Sequence, residues 1–221
     1  MAFKRDALLF DLDGTLVDSL PDLALAMNQV LAEEGRAPLA LAEVRLMVGD
    51  GVPKLVARGL TAAGLPVEAL LERAVAHFLD LYEGGPAAHT TIYPDVPEVL
   101  EALRVQGYRL AVCTNKPVDA ANHVLRALGL APLLDAVIGG GSTPALKPDP
   151  QPFLAALAAL GAPLERGIMI GDSPADIEGA RRTGLPAIAV TWGYTRLKPE
   201  ELGADHLIER FADLPAALLN Y

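Results

Sequence analysis

The sequence is poor in cysteine, in aromatic residues and in positive charge. A single Cys among 221 residues means that no disulfide can form within the chain, and nothing in its cysteine content requires an oxidising compartment. Lys and Arg total 18 against 28 Asp and Glu, for a formal charge of −10. This acidity argues against nucleic acid or an anionic membrane as a bulk partner, since both require a basic surface. A cytoplasmic protein is the default expectation.

Long hydrophobic runs are missing too. No uninterrupted apolar stretch approaches the roughly 18 residues of a membrane span. Lys4 and Arg5 precede an apolar run of only four residues, 7–10, which is too short for the hydrophobic region of a signal peptide. Hydrophobic residues nonetheless make up 52% of the chain, enough for one substantial core or for a core domain with a smaller domain attached.

The most informative local feature is a pair of acids, Asp11 and Asp13, at the end of an apolar run. Alternate side chains of a strand share a face, so both carboxylates can point into the crevice beyond the strand's carboxyl end, where two acids require a cation. A lone Asp-x-Asp-Gly is also typical of an ordinary turn. A calcium-binding loop is excluded because Gly14 comes too early for that pattern.

Short apolar runs alternate with helical patterns along most of the chain. The runs that predict strands are 7–10, 110–113, 136–138, 168–170, 188–190 and 207–208. The helices between them are punctuated by Asp95, Asp149 and Asp176 in N-cap positions and by Gly107, Gly161 and Gly184 at their ends. This alternation predicts an α/β fold, a doubly wound parallel sheet with a Rossmann-like core and helices on both faces.

Residues 16–90 interrupt the alternation, since they contain helical patterns without a convincing strand. Ser19 with Asp22 three residues later resembles a capping box at a helix start. Further helices are predicted over 41–48, 52–63 and 67–82. We therefore expect a core domain of residues 1–15 and 91–221 with a small helical cap domain, 16–90, inserted into it. The Gly84-Gly85-Pro86 cluster is interpreted as the return hinge.

Polar residues follow further predicted strand ends. They are Thr114 with Asn115 and Lys116, Lys147 after a glycine-rich loop, and Asp172 with Asp176. Ligands of doubly wound sheets bind at the carboxyl ends of strands, so we expect these residues to converge on Asp11 and Asp13. Each alone has an ordinary explanation as a helix cap or a solvated loop charge. Together they indicate a catalytic site.

In order and spacing, these motifs resemble those of the haloacid dehalogenase-like superfamily of phosphohydrolases. The family's nucleophile motif Asp-x-Asp-Gly-Thr matches residues 11–15, its phosphate-binding Ser/Thr matches Thr114, its lysine matches Lys147, and its acidic motif matches Asp172 and Asp176. The match covers almost the whole chain. The helical insertion after the first motif is similar to the cap of one class of this family, which closes over the site.

The resemblance implies a role for each acid. Asp11 is the nucleophile that forms an aspartyl-phosphate, and Asp13 donates a proton to the leaving oxygen and then activates water. Asp11, the backbone carbonyl of Asp13 and Asp172 are the implied ligands of Mg²⁺, a hard cation that takes oxygen ligands. Asp176 is implied to orient metal-bound water or Lys147 from outside the ligand set.

The resemblance also implies a phosphate site. Lys147 supplies positive charge, and the hydroxyl of Thr114 and the amides of Gly14 and Asn115 donate to phosphoryl oxygens. Asp13 separates this chain from the dehalogenase branch, which lacks an acid at that position. Phosphate rather than a carbon–halogen bond is the expected target.

Other segments resemble the phosphoglycolate phosphatases, among them Thr114-Asn115-Lys116-Pro117, Trp192-Gly193-Tyr194 and a cap turn, Gly49-Asp50-Gly51. The glycines of this turn permit close approach to a small ligand, and Arg58 downstream offers a forked donor to a carboxylate. Asp50 replaces the family's common amide, and an acid there is awkward beside an anionic substrate. On the residues alone, an ordinary helix–helix turn and a surface Arg58 are the slightly favoured explanation.

The expected function is Mg²⁺-dependent hydrolysis of a small phosphomonoester, with 2-phosphoglycolate, which yields glycolate and phosphate, as the best single candidate. A sugar-phosphate phosphatase or a phosphomutase like β-phosphoglucomutase uses the same core and stays open. A phosphate-binding regulatory module without turnover is the remaining alternative, although binding alone would not need Asp13. The expected partner is a small phosphorylated metabolite rather than nucleic acid or membrane, and self-association through apolar cap faces stays open.

Overall fold

The structure, a computed structural model, describes residues 5–84 and 87–221. Its strands are β1 (Ala7–Phe10), β2 (Val17–Asp18), β3 (Thr91–Ile92), β4 (Arg109–Pro117), β5 (Ala136–Gly140), β6 (Gly167–Gly171), β7 (Ala187–Val190) and β8 (His206–Ile208). Its α-helices are α1 (Leu20–Glu33), α2 (Leu41–Arg45), α3 (Val52–Ala62), α4 (Val67–Gly84), α5 (Val96–Val105), α6 (Val118–Ala127), α7 (Pro150–Ala159), α8 (Pro174–Thr183) and α9 (Leu214–Ala217). Gly85 and Pro86 of the expected return hinge lie outside the described residues.

Six parallel strands form the central sheet in the order β5-β4-β1-β6-β7-β8. β1 lies between β4 and β6, and all of its residues are fully buried. Such an uninterrupted apolar run is typical of a parallel strand that is covered on both faces. β4 is longer than the sequence predicts, because it continues past Cys113 to Pro117 with a shift of register against β5.

The two faces of the sheet carry different helices. Leu8 and Phe10 of β1 belong to a core that includes residues of α5, α6 and α9, whereas Ala7 and Leu9 belong to a core with α7 and α8. This alternation follows from the period of two along a strand. The predicted fold class, a doubly wound α/β sheet, is confirmed. Among the described helices, none combines the length and the apolar character needed to cross a membrane.

The helices α1 to α4 with the loops between them are called the cap. α1, α3 and α4 pack around an apolar core of their own, whereas Val44 of α2 packs with Tyr194 of the core domain. The largest members of the apolar core of the cap include Met27, Leu31, Leu60 and Phe78, and Ala120 of α6 also joins it. The chain enters and leaves this segment through β2 and β3, which pair antiparallel with Val17 opposite Ile92. The sequence predicts no strand here, because two-residue strands carry no periodic pattern. The domain division at residues 16 and 90 stays a prediction.

The predicted capping box at the start of α1 is wrong. Ser19 occupies the N-cap position, but its hydroxyl donates to Asp13 Oδ1 at 2.6 Å and caps no helix N–H. Asp22 instead accepts hydrogen bonds from the backbone N–H of His89 at 3.2 Å and from the Thr90 hydroxyl at 2.6 Å. Contacts with distant residues have replaced the local ones, and they tie α1 to the nucleophile turn and to the returning chain.

Candidate active site

Asp11 is the first residue after β1, at the carboxyl end of the central strand. It is buried, and its backbone N–H donates to the carbonyl of Ile170 in β6 at 2.9 Å. The following turn depends on Gly14, whose φ is +87°. A Cβ at Gly14 would lie 2.6 Å from Asp172 Oδ2. Glycine therefore permits both the turn and the close approach of Asp172.

Lys147 places a buried ammonium between two acids. Its Nζ lies 2.9 Å from Asp11 Oδ1 and 2.5 Å from Asp176 Oδ1, and it donates to the carbonyl of Cys113 at 2.6 Å. Burial opposes the charge, but Asp11 and Asp176 raise the pKa of Lys147 above its ordinary value. The Asn115 side chain holds this segment by bonding both the N–H and the carbonyl of Lys147, at 2.8 and 3.0 Å.

Asp176 is the third residue of α8, not the residue before its start as the sequence predicts. α8 begins at Pro174 with Ser173 as its N-cap residue, so the expected N-cap role of Asp176 is wrong. Asp176 Oδ2 accepts from the N–H groups of Asp172 and Ser173 at 3.2 and 3.0 Å and from the Ser173 hydroxyl at 2.7 Å. Since its other oxygen contacts Lys147, both oxygens of Asp176 are already engaged by the protein.

Asp172 follows β6 directly and is held from two sides. The Thr15 hydroxyl donates to its Oδ1 at 3.0 Å, and the backbone N–H of Tyr194 donates to its Oδ2 at 2.7 Å. The loop after β7 can approach this closely because Gly193 has no side chain: a Cβ there would lie 2.1 Å from Asp172 Cβ. The carboxylate therefore has a fixed position beside Asp11.

Asp11, Asp172 and Asp176 form a buried acidic cluster in which one carboxylate oxygen of each lies within 4.8 Å of the others. Burial and then the charge of Asp176 raise the pKa of Asp11 to about 6, against the opposing effect of Lys147. Burial and the charges of Asp11 and Asp176 also raise the pKa of Asp172. Among the described residues, none gives buried Asp11 Oδ1 a well-aligned hydrogen bond. Oxygen donors in negative excess suit a hard divalent cation, so this cluster can hold a metal ion.

Asp13 lies outside that cluster and has a cation of its own. Lys116 Nζ lies 3.1 and 3.0 Å from the two carboxylate oxygens of Asp13 and 2.7 Å from the hydroxyl of Tyr82 in α4. Its ammonium also lies over the Tyr82 ring, 4.3 Å from the centroid. Burial opposes the charge, but Asp13 and Tyr82 raise the pKa of Lys116. Lys116 thus joins the expected acid–base residue to the cap.

Thr114 and Asn115 lie where β4 approaches Asp11. The Thr114 hydroxyl acts on Asp11 in the direction that lowers the pKa of its carboxyl, which favours the ionised form. The Asn115 side chain donates to the carbonyl of Gly49 at 3.2 Å, so it links the cap turn to the core. The structure therefore brings both residues to the nucleophile. Their predicted contacts with a phosphoryl group stay a prediction.

A cavity with a volume of about 40 Å³ lies between the cap and the carboxyl edge of the sheet. The core lines it with Asp11, Asp13, Thr114, Asn115, Lys116, Pro117 and Ala120. The cap lines it with Leu23, Val48, Gly49, Gly51, Val52, Leu55, Leu79 and Tyr82. One wall is therefore polar and carries the predicted catalytic groups, and the other is mostly apolar.

Asp50 and Arg58 are not brought into the lining of this cavity. The Arg58 guanidinium donates to Asp50 Oδ2 and, at 2.9 Å, to the carbonyl of Met47. Arg196 lies 3.2 Å from the same Asp50 oxygen. Two nitrogens of Arg58 are thus engaged within the protein, and its role as a donor to a substrate carboxylate stays a prediction. The same pairing compensates the charge of Asp50.

Lys116 reaches Asp13, as its position after a predicted strand indicates. The sequence gives no role at the site to four residues that support the acids from other segments: Thr15, Ser19, Tyr82 and Tyr194. Tyr194 had a signal, since it lies in the Trp192-Gly193-Tyr194 segment. Tyr82 had none. It lies on a helix without any motif, and only the packing of the cap brings it to Lys116.

Comparison with known proteins identifies the family. A model of the haloacid dehalogenase-like hydrolases matches residues 5–184, and this chain belongs to that family. The similarity extends to individual members. A phosphoglycolate phosphatase of Caulobacter vibrioides is 46% identical over 212 residues, which cover 96% of this chain and 90% of that protein. The resemblance found in the sequence motifs is confirmed.

Solved structures extend the similarity to the whole fold. The crystal structure of a predicted phosphoglycolate phosphatase from Haemophilus somnus is 32% identical with a TM-score of 0.91, covering 97% of this chain and 98% of that one. CbbY from Rhodobacter sphaeroides in complex with phosphate is 29% identical with a TM-score of 0.77, covering 98% and 99%. Coverage this complete includes the cap as well as the sheet.

Proposed function

We propose that this hydrolase is a Mg²⁺-dependent phosphatase that converts 2-phosphoglycolate to glycolate and phosphate. The observation that carries the proposal is the surroundings of Asp11: a buried carboxylate at a strand end, 2.9 Å from Lys147, with Asp172 and Asp176 beside it. The relative from Caulobacter vibrioides, named a phosphoglycolate phosphatase, supports the choice of substrate through 46% identity over nearly the whole length of both chains.

In the first step, an Asp11 oxygen attacks phosphorus and the bond from phosphorus to the glycolate oxygen breaks, which leaves an aspartyl-phosphate. Asp13 donates its proton to the departing oxygen. In the second step, Asp13 takes a proton from the water that attacks the aspartyl-phosphate, so phosphate leaves and Asp11 is restored. Lys147, already in contact with Asp11, offsets the negative charge that builds on the reacting group.

The acidic cluster fits Mg²⁺, and we assign Asp11, Asp172 and the backbone carbonyl of Asp13 as its ligands. Asp176 stays outside the ligand set, because its oxygens bond Lys147 and the start of α8. When bound, the ion supplies charge neutralisation and polarises the phosphoryl group. The Thr114 hydroxyl and the amides of Gly14 and Asn115 are assigned to the phosphoryl oxygens.

The proposal includes a division of labour between domains. Residues 1–15 and 91–221 carry the chemistry, and residues 16–90 cover it. The cap wall of the cavity is mostly apolar and its core wall carries a few convergent polar groups, a lining typical of small-ligand sites. The cytoplasmic location and the self-association considered from the sequence stay predictions.

The test is phosphate release from 2-phosphoglycolate, hexose phosphates, glycerol phosphate and p-nitrophenyl phosphate, each with Mg²⁺ or with a chelator. We expect strong preference for 2-phosphoglycolate, loss of release with chelator, and loss of at least about 10³-fold in Asp11→Asn, since the nucleophile is removed. Circular dichroism of Asp11→Asn checks that its fold is intact.

Other outcomes would contradict the proposal at different levels. Activity spread across hexose phosphates would retain the Asp11 chemistry and overturn the substrate. Transfer of phosphate between sugar positions without stoichiometric release would indicate a mutase. An Asp11→Asn variant with substantial activity would remove Asp11 from the nucleophilic role.

A further inference from the structure

We propose that Lys116 binds the carboxylate of the substrate and thereby selects phosphomonoesters whose leaving group carries a carboxylate. The inference rests on the proposed phosphatase function and adds to it the residue that recognises the organic part of the substrate. It begins with charge. Among the described residues that line the cavity, Lys116 is the only cation.

The position of Lys116 relative to Asp13 carries the argument. Its Nζ is 3.0 to 3.1 Å from both oxygens of Asp13, the residue assigned to the leaving oxygen. In 2-phosphoglycolate a single methylene separates the leaving oxygen from the carboxylate carbon. A cation in contact with Asp13 therefore lies within reach of the carboxylate when Asp13 engages the leaving oxygen. An ammonium has three donors, and here they reach the two oxygens of Asp13 and the Tyr82 hydroxyl. When one Asp13 oxygen turns to the leaving oxygen, the donor it releases can hold a carboxylate oxygen of the substrate.

Lys147, Arg58 and Arg196 are engaged elsewhere. Lys147 contacts the nucleophile and donates to a backbone carbonyl at 2.6 Å, so it serves the phosphoryl end of the site. Arg58 and Arg196 both contact Asp50, outside the cavity lining. A substrate carboxylate inside the cavity therefore has Lys116 as its available counter-ion among the described lining residues.

The surroundings of Lys116 make this pairing selective. Its side chain is only 2% exposed, and the facing cap wall includes Leu23, Val52, Leu55 and Leu79. A carboxylate that enters such a space without a cation loses its hydration and gains nothing in return. The Tyr82 hydroxyl accepts from Lys116 at 2.7 Å, and its own proton remains free to bond a second carboxylate oxygen.

The experiment compares two substrates of equal carbon number, 2-phosphoglycolate and ethyl phosphate, in the Mg²⁺-loaded wild type and in Lys116→Gln. The Gln amide keeps a donor near Asp13 and Tyr82 but removes the charge. We expect the ratio of kcat/KM for 2-phosphoglycolate over ethyl phosphate to fall by about 10- to 100-fold, the usual range for losing a charged hydrogen bond. An equal loss for both substrates would overturn the inference, because Lys116 would then act only on Asp13 or on the cap.

Arg58→Gln is the competing variant, since the sequence points to Arg58 for the same carboxylate. Collapse of the substrate ratio in Arg58→Gln with an unchanged ratio in Lys116→Gln would overturn the inference. If Lys116→Gln does not fold, Lys116→Arg keeps the cation and should keep a preference for 2-phosphoglycolate over ethyl phosphate, at a changed ratio because the guanidinium is larger and planar; a folded Arg variant that has lost the preference would refute the inference. A wild type without preference for 2-phosphoglycolate refutes the proposed function itself, whereas a wild-type preference that survives in Lys116→Gln refutes only the role of Lys116.

Discussion

The two ends of the same three strands, β1, β4 and β6, carry ion clusters of opposite character. At the amino ends, Asp6 accepts hydrogen bonds from Arg109 at 3.0 Å and from Arg166 at 2.8 and 2.5 Å. These side chains remain 17 to 32% exposed. At the carboxyl ends, the buried acidic cluster surrounds Lys147, whose side chain is 1% exposed.

The charge balance separates a structural cluster from a functional one. At the amino ends, one acid faces two guanidinium groups and all three can reach water. At the carboxyl ends, three buried acids face one lysine, an arrangement that destabilises the fold when the acids are ionised. Such an excess is kept where chemistry uses it, since perturbed carboxyl groups concentrate at catalytic sites. The imbalance, rather than the number of ion pairs, marks the active edge of this sheet.

Of the substitutions considered, replacement of Lys147 should have the largest effect on stability and turnover. In Lys147→Met, Asp11 and Asp176 lose their shared counter-ion, so we expect a loss of about 3 kcal/mol of unfolding free energy, as for other buried pairs with one partner removed. Turnover should fall by at least about 10³-fold, because the charge beside the nucleophile is gone. Urea unfolding in chelator and phosphate release from 2-phosphoglycolate measure the two effects.

The matched control is Lys198→Met, the same replacement at an exposed position. It should change the unfolding free energy by about 0.5 kcal/mol or less. If Lys147→Met is as stable as this control at neutral pH, the acids of the cluster do not depend on Lys147, and the contrast between the two edges fails.

Mg²⁺ should offset the excess negative charge of the acidic cluster, and the size of its stabilising effect should depend on pH. Burial and the charge of Asp176 raise the pKa of Asp11 to about 6, above its ordinary value of 3.8. The ionised form is therefore disfavoured in the metal-free folded state, and its contribution lowers stability as pH rises from about 4 to about 6. Mg²⁺ needs ionised ligands, so the rise in Tm on adding Mg²⁺ should be small near pH 5 and larger near pH 7.5. At about 100 times Kd the gain corresponds to about 2.7 kcal/mol.

Differential scanning fluorimetry with Mg²⁺ or chelator at both pH values provides this measurement. Asp172→Asn removes an assigned ligand and should lose most of the shift, whereas Asp6→Asn, at the opposite edge, should keep it. A shift that survives in Asp172→Asn would place the ion outside the acidic cluster. A shift of equal size at both pH values would show that Asp11 does not titrate in this range.

The sequence predicts those parts of the fold and site that depend on residues close together in the chain. β1 can be predicted because a strand that is covered on both faces has a continuous apolar sequence. Asp11 can be predicted because it follows such a run directly. Asp13 lies two residues further on, and only Gly171 separates Asp172 from the run 168–170. The N-cap at Asp149 is also confirmed, since its side chain accepts from the N–H of Gln151 at 2.9 Å.

The parts that fail depend on which distant segments meet. Ser19 looks like a helix cap, but Asp13 competes for its hydroxyl at 2.6 Å. The contact between Arg58 and Asp50 is likewise not visible in the sequence, because nothing local shows that the Asp50 side chain points toward Arg58. The contact of Lys116 with Tyr82 also cannot be predicted, because only the packing of the cap brings Tyr82 to Lys116. Side-chain contacts between the cap and the core depend on the tertiary structure, and a single sequence does not show which residues make them.

Asp6→Asn tests the ion cluster at the amino ends of the strands and should have the smallest effect on stability and activity. The hydrogen bond from Arg166 lowers the pKa of Asp6 to about 2, burial opposes this, and Arg109 acts in the same direction as Arg166. Because the folded-state pKa lies below the ordinary 3.8, the stabilisation is present above about pH 4 and is lost as pH falls toward 2.

We expect Asp6→Asn to lose about 1 kcal/mol at pH 7, a value limited by the exposure of the pair, and to approach the wild type near pH 2.5. Urea unfolding at pH 7, 4 and 2.5 measures this, with kcat/KM for 2-phosphoglycolate unchanged at pH 7 because Asp6 lies at the opposite ends of the strands. A loss that persists unchanged at the lowest pH would mean that Asp6 acts through packing rather than through charge. The amino edge would then no longer serve as the balanced counterpart of the acidic cluster.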